Sequence, residues 1–267
     1  MNRPWFRMTR FALIAAAGAM ASPGSPEPVA TPWLAENFAG YQAFADIQKA
    51  SWYQASDYTH ESLISVDLND GPPGGSGRSL RYDFPPGAGG VGIDFKLPSP
   101  TADLWTEIWA KFSPDFNSGG MCGGNNPDYK FVFWYLEPGE GRNEIKVGNY
   151  GNMRNLDTRY FAGPDELRIQ TPAPINSGQW HRYRIHNRIM QPRSNVFSVE
   201  FWDGRGVPRR LTQTYFALGS ANGLRGTQFR EIDRIALGAN RNCAAGVGQW
   251  MKYGSITLYQ DDPGWGF

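Results

Sequence analysis

The chain lacks a charge excess, has few cysteines and contains no apolar run long enough to span a membrane. Its 267 residues carry 26 Lys and Arg against 25 Asp and Glu, and two are cysteine. A near-neutral chain without a block of like charges offers no electrostatic footprint for nucleic acid or an anionic membrane surface. A bilayer-spanning helix needs about 20 apolar residues. We therefore expect neither a nucleic-acid partner nor stable membrane insertion.

Several catalytic and cofactor motifs are also missing. No serine nucleophile elbow, phosphate-binding glycine loop or zinc-binding helix motif occurs in the sequence. The two acidic residues near the C-terminus, Asp261 and Asp262, are typical of a solvated chain end. We therefore expect no cofactor and no metal site.

The first residues have the pattern of a secretory signal peptide. Three arginines and no acidic residue precede the apolar segment Phe11–Ala21, which ends in small residues. We expect a signal peptide at 1–21, a Pro- and Ser-rich linker at 22–32 and one domain at 33–267, in a secreted or periplasmic protein. A retained N-terminal anchor is the alternative. Cleavage would remove three of the basic residues and leave 23 against 25 acidic ones.

The two cysteines, Cys122 and Cys243, lie far apart in sequence and neither belongs to a C-x-x-C pair. In an oxidising compartment an isolated pair of this kind is typical of a disulfide. Two ligands alone make a poor metal site. We therefore expect a Cys122–Cys243 disulfide.

Short aromatic and β-branched runs, separated by Gly, Pro, Asn and Asp, fill the rest of the chain. Such spacing predicts an all-β sandwich or barrel of about a dozen strands. The predicted strands are Leu63–Leu68, Ser79–Phe84, Gly92–Leu97, Leu104–Phe112, Lys130–Leu136, Glu144–Tyr150, Glu166–Thr171, Trp180–Ile189, Val196–Trp202, Arg209–Phe216, Ile232–Leu237 and Gly254–Tyr259.

Two of these strands have one apolar face and one face that mixes aromatic rings with charges. The mixed faces carry Trp105, Glu107, Trp109 and Lys111 on one strand, and Trp180, Arg182, Arg184, His186 and Arg188 on the other. Rings stack on the C–H face of a pyranose, and charged groups fix its hydroxyls and carboxylates. Ordinary packing beside a solvated face explains any single one of these residues. The whole set favours a carbohydrate-binding groove.

The sequence also resembles a known group of proteins. The segments LWTEIWAKFSPDF, KFVFWYLE, EIKVGNYGN, GQWHRYRIHNRI and the final DDPGWGF are similar, in pattern and order, to concanavalin A-like jelly-roll proteins. Within that group the chain is most similar to secreted bacterial polysaccharide-lyase-like proteins. The resemblance implies a jelly-roll β-sandwich of two curved antiparallel sheets, with a glycan cleft on a concave face and a polysaccharide, such as a polyuronate, as partner.

The segment Lys146–Tyr150 is similar to the K-x-G-x-Y strand that jelly-roll lyases place on the cleft floor. β-Elimination at a uronic acid requires neutralisation of its carboxylate, a base for the adjacent proton, and an acid for the departing oxygen. We expect Tyr150 to act as base or acid, with Lys146 and Arg182 as the other catalytic residues. The expected substrate-binding residues are Trp105, Glu107, Trp109, Lys130, Arg184 and His186.

Two departures from the family patterns leave the function open. The strands that correspond to the lyases' Gln-x-His strand and Arg-rich first strand contain no histidine, so Lys130 or Glu107 would have to substitute, or His181 or His186 would come from another direction. The run Glu231–Ala236 resembles the E-x-D-x-x-E strand of retaining glucanases, but alanine stands at the second catalytic Glu. Three functions follow: a polysaccharide lyase, a non-catalytic glycan-binding domain, or a structural or adhesive envelope protein.

Overall fold

The computed structural model describes residues 30–116, 129–137, 141–147, 153–160, 163–167, 178–190, 194–202, 209–216, 231–239 and 247–265. The predicted signal peptide, most of the predicted linker, Tyr150 and both cysteines lie outside these residues. No helix among them is long and apolar enough to cross a membrane.

The described chain is built almost wholly from β-strands, with one short helix, α1 (Phe44–Ile47), and a 3₁₀ turn at Glu61–Leu63. The strands are β1 (Leu34–Glu36), β2 (Tyr53–Gln54), β3 (Ile64–Asp67), β4 (Ser79–Phe84), β5 (Ile93–Thr101), β6 (Asp103–Phe112), β7 (Tyr129–Glu137), β8 (Gly141–Val147), β9 (Met153–Tyr160), β10 (Gly163–Leu167), β11 (Trp180–Met190), β12 (Ser194–Trp202), β13 (Arg209–Phe216), β14 (Glu231–Leu237) and β15 (Gln249–Tyr259).

The strands form two antiparallel sheets. Sheet A has eight strands in the order β13-β12-β11-β6-β15-β4-β3, with β1 paired to β15. Sheet B has seven strands in the order β10-β9-β8-β7-β14-β5-β2. The predicted all-β sandwich is therefore confirmed.

The core lies between the two sheets, because each strand turns alternate residues inward. On β6 of sheet A, Leu104, Ile108 and Phe112 are buried in the core, and on β14 of sheet B, Ile235 and Leu237 are buried against them. The residues that alternate with them, such as Glu107 and Trp109 on β6, face outward. Each sheet thus has an outer face on which polar side chains can act.

Two buried tyrosines join the sheets through hydrogen bonds across the core. Tyr82 on β4 donates its hydroxyl to the carbonyl of Leu237 at the end of β14, at 2.9 Å. Tyr253 on β15 donates to the carbonyl of Phe131, which lies at an irregularity in the β7–β8 pairing. Burial raises the pKa of both phenols well above the usual value. The Phe131 carbonyl thus lies where the regular ladder is interrupted, and the Leu237 carbonyl lies at the end of its strand.

The N-terminal part of the described chain contributes to both sheets. β1 pairs with β15 of sheet A, and β2 pairs with β5 of sheet B. The Trp52 ring stacks on Phe95 with 4.3 Å between ring centres, and its Nε1 donates to Glu36 at 2.9 Å. This segment therefore packs on the same core as the later strands.

Candidate functional site

The outer face of sheet B has a compact group of polar and aromatic side chains at its centre. Because Ile235 and Leu237 point into the core, Arg234 and Ala236, which alternate with them, point outward on β14. The strands on either side, β5 and β7, supply the other members. We call this group the sheet B cluster, and it consists of Asp94, Phe133, Tyr135 and Arg234.

The Arg234 guanidinium joins the cluster together. Its Nη1 donates a hydrogen bond to Asp94 Oδ2 at 3.1 Å. Its central carbon lies 3.7 Å from the centre of the Tyr135 ring, which is a close cation–π contact. The Arg234 side chain is 29 % exposed, whereas that of Asp94 is 2 % exposed. Arg234 is therefore the member of this ion pair that reaches the solvent.

Asp94 is held in an environment that disfavours its charge. Burial raises the pKa of this carboxyl to about 6, although Arg234 acts to lower it, and the neighbouring Asp233 and Asp57 raise it further. Its Oδ1 atom is buried and has no hydrogen-bond partner among the residues that the structure describes. Asp94 therefore changes charge within the range of ordinary working pH values.

The chain that precedes β3 packs beside the cluster. Gln54 on β2 lies opposite Asp94 in the pairing with β5. The Tyr58 ring packs against the small apolar group that contains Phe133, and the Tyr58 carbonyl accepts a hydrogen bond from the Gly92 amide at 3.0 Å. These contacts help to keep water away from the β5 side of the cluster.

The backbone register extends the cluster into two rows that cross sheet B, since residues directly opposite in antiparallel strands follow one another across a sheet. A basic row runs over β5, β14, β7, β8 and β9 and consists of Lys96, Arg234, Tyr135, Arg142 and Arg159. A parallel acidic row consists of Asp94, Ala236, Phe133, Glu144, Asp157 and Glu166. Four of the five register positions in the basic row are therefore cationic.

Two residues predicted from the sequence come into register in the same sheet. Lys130 on β7 lies opposite Lys146 on β8, and Lys146 in turn lies opposite Asn155 on β9. The Lys130 residue is buried. Strand β8 ends at Val147, and Tyr150 lies three residues beyond it, outside the described residues. The predicted role of Tyr150 therefore stays a prediction.

The other predicted site residues lie together on the outer face of sheet A. There β6 pairs with β11, so that Trp105 is opposite His186, Glu107 opposite Arg184 and Trp109 opposite Arg182. These six are Trp105, Glu107, Trp109, Arg182, Arg184 and His186. The mixed faces that the sequence pattern indicated for the two strands therefore lie side by side.

The contacts on this face bind the predicted residues to one another. Arg184 Nε donates to Glu107 at 2.8 Å. The His186 ring stacks on Trp105 with 3.7 Å between ring centres, and its Nε2 lies 2.7 Å from Asp103. Such fully partnered pairs stabilise a sheet surface.

Two chain segments cover parts of the outer face of sheet A. Near the C-terminus, the ring of Trp265 lies 5.0 Å from the Arg184 guanidinium and 5.6 Å from Trp105, and Trp265 is 8 % exposed. At the other end of the strands, a side chain at Gly254 would collide with Pro72 and Trp180. The loop that contains Pro72 therefore lies directly against the sheet.

A charged network fastens this loop. Lys252 Nζ donates to Asp67 at 2.7 Å and to Asp70 at 2.5 Å. Asp70 also accepts hydrogen bonds from Lys111 at 2.9 Å and from Trp180 Nε1 at 3.1 Å. The Lys252 side chain is only 5 % exposed. This part of sheet A is a stabilising cluster beneath a loop.

Two of the predicted catalytic residues lie on strands of different sheets. Lys146 belongs to β8 of sheet B, whereas Arg182 and Arg184 belong to β11 of sheet A and point away from the core. Strand β8 and strand β11 are not neighbours in either sheet.

The residues that sequence reasoning missed are those of the sheet B cluster. A signal for them exists in the sequence, because Asp94 stands between Ile93 and Phe95 in β5 and Arg234 directly precedes the alternating run that begins at Ile235 in β14. An ionisable residue at an outward position between core residues marks a candidate for the exposed face of a sheet.

Comparison with known proteins shows the fold. No family model and no curated protein sequence matches the chain. Among solved structures, a PL-14 alginate lyase from Aplysia kurodai is similar with a TM-score of 0.62 and 11 % identity, over 87 % of this chain and 100 % of that one. An endo-β-1,4-glucuronan lyase from Trichoderma reesei is similar with a TM-score of 0.54 and 11 % identity, over 88 % and 99 %.

A further alginate lyase, solved in complex with an alginate trisaccharide, gives a TM-score of 0.56 at 11 % identity over 86 % of this chain and 98 % of that chain. Identities this low establish architecture alone. The chain has the concanavalin A-like jelly-roll fold, and the solved structures that share it include polysaccharide lyases.

Proposed function

We propose that this protein binds a uronic-acid polysaccharide on the outer face of sheet B and cleaves it by β-elimination. The observation that carries the proposal is the basic row, which puts cationic residues at four register positions across five adjacent strands. Neighbouring strands lie about 4.8 Å apart, a spacing comparable with the length of one sugar residue. A linear chain of carboxylates laid across the strands would meet a cation at almost every strand.

The described part of this row has the chemistry that a uronate needs. Arg234 offers a planar guanidinium suited to a carboxylate, and it is partly exposed. The Tyr135 ring beside it supplies an aromatic surface of the kind on which a sugar ring packs. The solved structures of the same fold that act on alginate and glucuronan are consistent with this substrate class.

In this proposal Lys146 keeps the part that the sequence suggested for it and neutralises the carboxylate of the reacting uronate, so that the adjacent C–H becomes acidic. Arg234 binds the carboxylate of another residue of the same polymer, because Val147 at the end of β8 pairs six residues along β7 from the Tyr135 that lies opposite Arg234. Tyr150, which follows β8, is the candidate base that removes the proton and the candidate acid that protonates the leaving oxygen. The C–O bond to the leaving sugar then breaks, and a carbon–carbon double bond forms in the remaining uronide.

A non-catalytic glycan-binding domain is the second candidate, and the positions of the histidines favour it. The chain has three histidines. His60 is exposed in the segment before β3, His181 is buried on β11, and His186 pairs with Asp103 on sheet A. No strand of sheet B contains a histidine. Elimination would therefore rely on Tyr150 without help from an imidazole.

The decisive experiment is ultraviolet absorbance of the unsaturated uronide, with alginate, glucuronan, heparinoids and pectate each incubated with the protein. We expect absorbance to rise with one of the first two polymers, to be lost in Tyr150→Phe and Arg234→Gln, and to persist in the matched control Arg182→Gln. Retention on a polymer without a rise would select the binding domain. If the absorbance rise is lost in Arg182→Gln alone, the groove lies on sheet A. If no polymer is cleaved and none is retained, the proposal is overturned.

We further propose that the protein acts outside the cytoplasm, after removal of residues 1–21 and formation of the Cys122–Cys243 disulfide. The basic and apolar segments at the N-terminus support the first step, and the isolated cysteine pair supports the second. N-terminal sequencing and non-reducing peptide mapping of the protein from its native compartment test both steps. A retained leader or two free thiols would contradict them.

A further inference from the structure

Asp94 does not reach solvent, yet it makes a direct ion pair with Arg234, which does. Its side chain is 2 % exposed and accepts a hydrogen bond from Arg234 at 3.1 Å. In the β5–β14 register Asp94 lies opposite Ala236, two residues from Arg234, so the pair is a diagonal one. A bound sugar would touch Arg234 and not Asp94.

The groups around Asp94 balance its charge poorly. From β14, Arg234 faces it with a positive charge and Asp233 with a negative one, and Asp57 in the segment before β3 adds a second negative charge. The buried Tyr82 phenol lies on its core side, and Lys96 on its own strand is exposed. The Oδ1 atom is buried with no hydrogen-bond partner among the described residues. The Arg234 ion pair is therefore the main interaction that keeps Asp94 ionised.

A ligand carboxylate at Arg234 would change this balance. It would bring a further negative charge next to Asp94 and would draw the guanidinium toward itself. Two carboxylates that share one cation in a poorly solvated place do not both stay ionised easily. Asp94 is the less exposed to solvent of the two carboxylates, so its negative charge is the less stabilised and it is the one that takes up a proton. The proton binds to the Oδ1 atom, which accepts no hydrogen bond from the described residues.

We propose that Asp94 is a positioning residue that competes with the substrate carboxylate for Arg234, so that binding of a polyuronate is coupled to the uptake of one proton by Asp94. This inference rests on the proposed function, since it uses the same ligand at the same arginine. It adds a regulatory property, which is tighter binding in mildly acidic solution. A neutral polysaccharide would not show the coupling.

The sign of the pH dependence follows from the pair. Burial raises the pKa of Asp94 to about 6. Below that pH the carboxyl is neutral and Arg234 is available to the ligand, whereas above it the carboxylate holds Arg234. A ligand that raises the Asp94 pKa by one unit binds about tenfold more tightly below both pKa values than above them. We therefore expect affinity to increase about tenfold between pH 7.5 and pH 5.

The experiment is isothermal titration calorimetry with size-defined alginate and glucuronan oligosaccharides, at pH 5 to 8, in buffers of different ionisation enthalpy. The dependence of the heat on the buffer counts the protons taken up, and the unmodified protein suffices for that measurement. Asp94→Asn mimics the protonated state, so it should bind at pH 7.5 as tightly as the unmodified protein does at pH 5 and take up no proton. The matched control is Asp83→Asn, which removes the partner of Arg81 on sheet A.

The outcomes separate the two proposals. Binding with proton uptake near pH 6 to 7 that disappears in Asp94→Asn supports the coupling. Binding without proton uptake, or with the same pH profile in Asp94→Asn and the unmodified protein, overturns the coupling and leaves the proposed function standing. If no oligosaccharide binds at any pH, both are overturned. If Asp83→Asn also abolishes the proton uptake, the effect comes from a general change of charge, and the role of Asp94 is overturned.

Discussion

Replacing Lys252 with methionine should reveal how strongly the charged network holds the loop against sheet A. Lys252 Nζ lies 2.7 Å from Asp67 and 2.5 Å from Asp70, and its side chain is 5 % exposed. Methionine keeps an unbranched side chain of similar length and removes the charge. The two carboxylates would then remain close together without their shared cation.

The size of the effect follows from the burial of the three groups. Removing one partner of a buried ion pair costs about 3–5 kcal/mol. Asp67 and Asp70 are 20 % and 29 % exposed, and Lys111 stays bound to Asp70, so water and Lys111 compensate part of the loss. We expect a loss of about 2–3 kcal/mol in the free energy of unfolding. For a domain of this size that lowers the Tm by about 4–12 °C.

The loss of unfolding free energy in Lys252→Met should depend on pH. Burial acts to raise the pKa of Asp67 and Asp70, but it is outweighed by Lys252 together with the Asn69 amide at Asp67 and Lys111 at Asp70, so both pKa values lie below the ordinary range. A lowered folded-state pKa gives stability that is present above the unfolded-state value of about 3.9 and is lost as pH falls through the folded-state value. The difference between the two proteins should therefore be greatest near neutrality and should shrink below about pH 4.

The assay is urea denaturation of both proteins from pH 3 to pH 8, followed by tryptophan fluorescence. Lys49→Met is the matched control, because Lys49 pairs with Asp46 on an exposed surface and its side chain is 76 % exposed. We expect no measurable change in the free energy of unfolding of Lys49→Met. A Lys252→Met protein as stable as this control, or a loss that is independent of pH, would refute the reasoning.

Three further changes test other parts of the structure. As pH rises from 4 to 6, the free energy of unfolding should fall by up to about 3 kcal/mol, because the folded state binds the Asp94 proton more tightly than the unfolded chain does. Asp94→Asn should abolish this fall, and an unchanged pH profile in urea denaturation would contradict the reasoning. Tyr253→Phe should cost about 1–2 kcal/mol, since the hydroxyl on the Phe131 carbonyl is lost, and more than the control Tyr259→Phe in the same assay. Trp265→Ala should cost about 2–4 kcal/mol by exposing the rings beneath it, and a Tm equal to that of the unmodified protein would argue against this packing.

The direction in which residues face within a strand could be predicted from the sequence. The predicted strand Leu104–Phe112 differs by one residue from β6 and the predicted strand Trp180–Ile189 by one from β11. Alternation is strong in both, and the side chains assigned to the mixed face are the ones found on the outside. Period-two patterning is a local property, so each strand reports it independently.

The sheet to which each strand belongs could not be predicted in this way. Glu107 and Arg184 are 77 residues apart in sequence and hydrogen-bond to each other, whereas Lys146 and Arg182, much closer in sequence, lie in different sheets. Patterning distinguishes inside from outside but not one sheet from the other. Pairing is decided by contacts distant in sequence.

The sheet B cluster was missed for a related reason. Asp94 and Arg234 are 140 residues apart and interact only because β5 and β14 are neighbours. In the sequence, Arg234 stands in a run that resembles an incomplete glucanase motif, and Asp94 stands between two apolar residues. Neither has a local signature of an ion pair. The short edge strands β1 and β2 were missed because two or three residues carry too little pattern.

The place of β15 in sheet A affects how this chain acquires its structure. β15 pairs with β1, β4 and β6, so it joins a strand from the beginning of the described chain to strands from its middle. All the other described strands precede β15 along the chain, and sheet A stays split into separate pieces until β15 has been synthesised. Pairings at such long sequence separations give slow folding, on the scale of milliseconds to seconds. Until β15 has formed its pairings, the edges of β4 and β6 that face it lack their partners, and sheet A cannot assemble as one sheet.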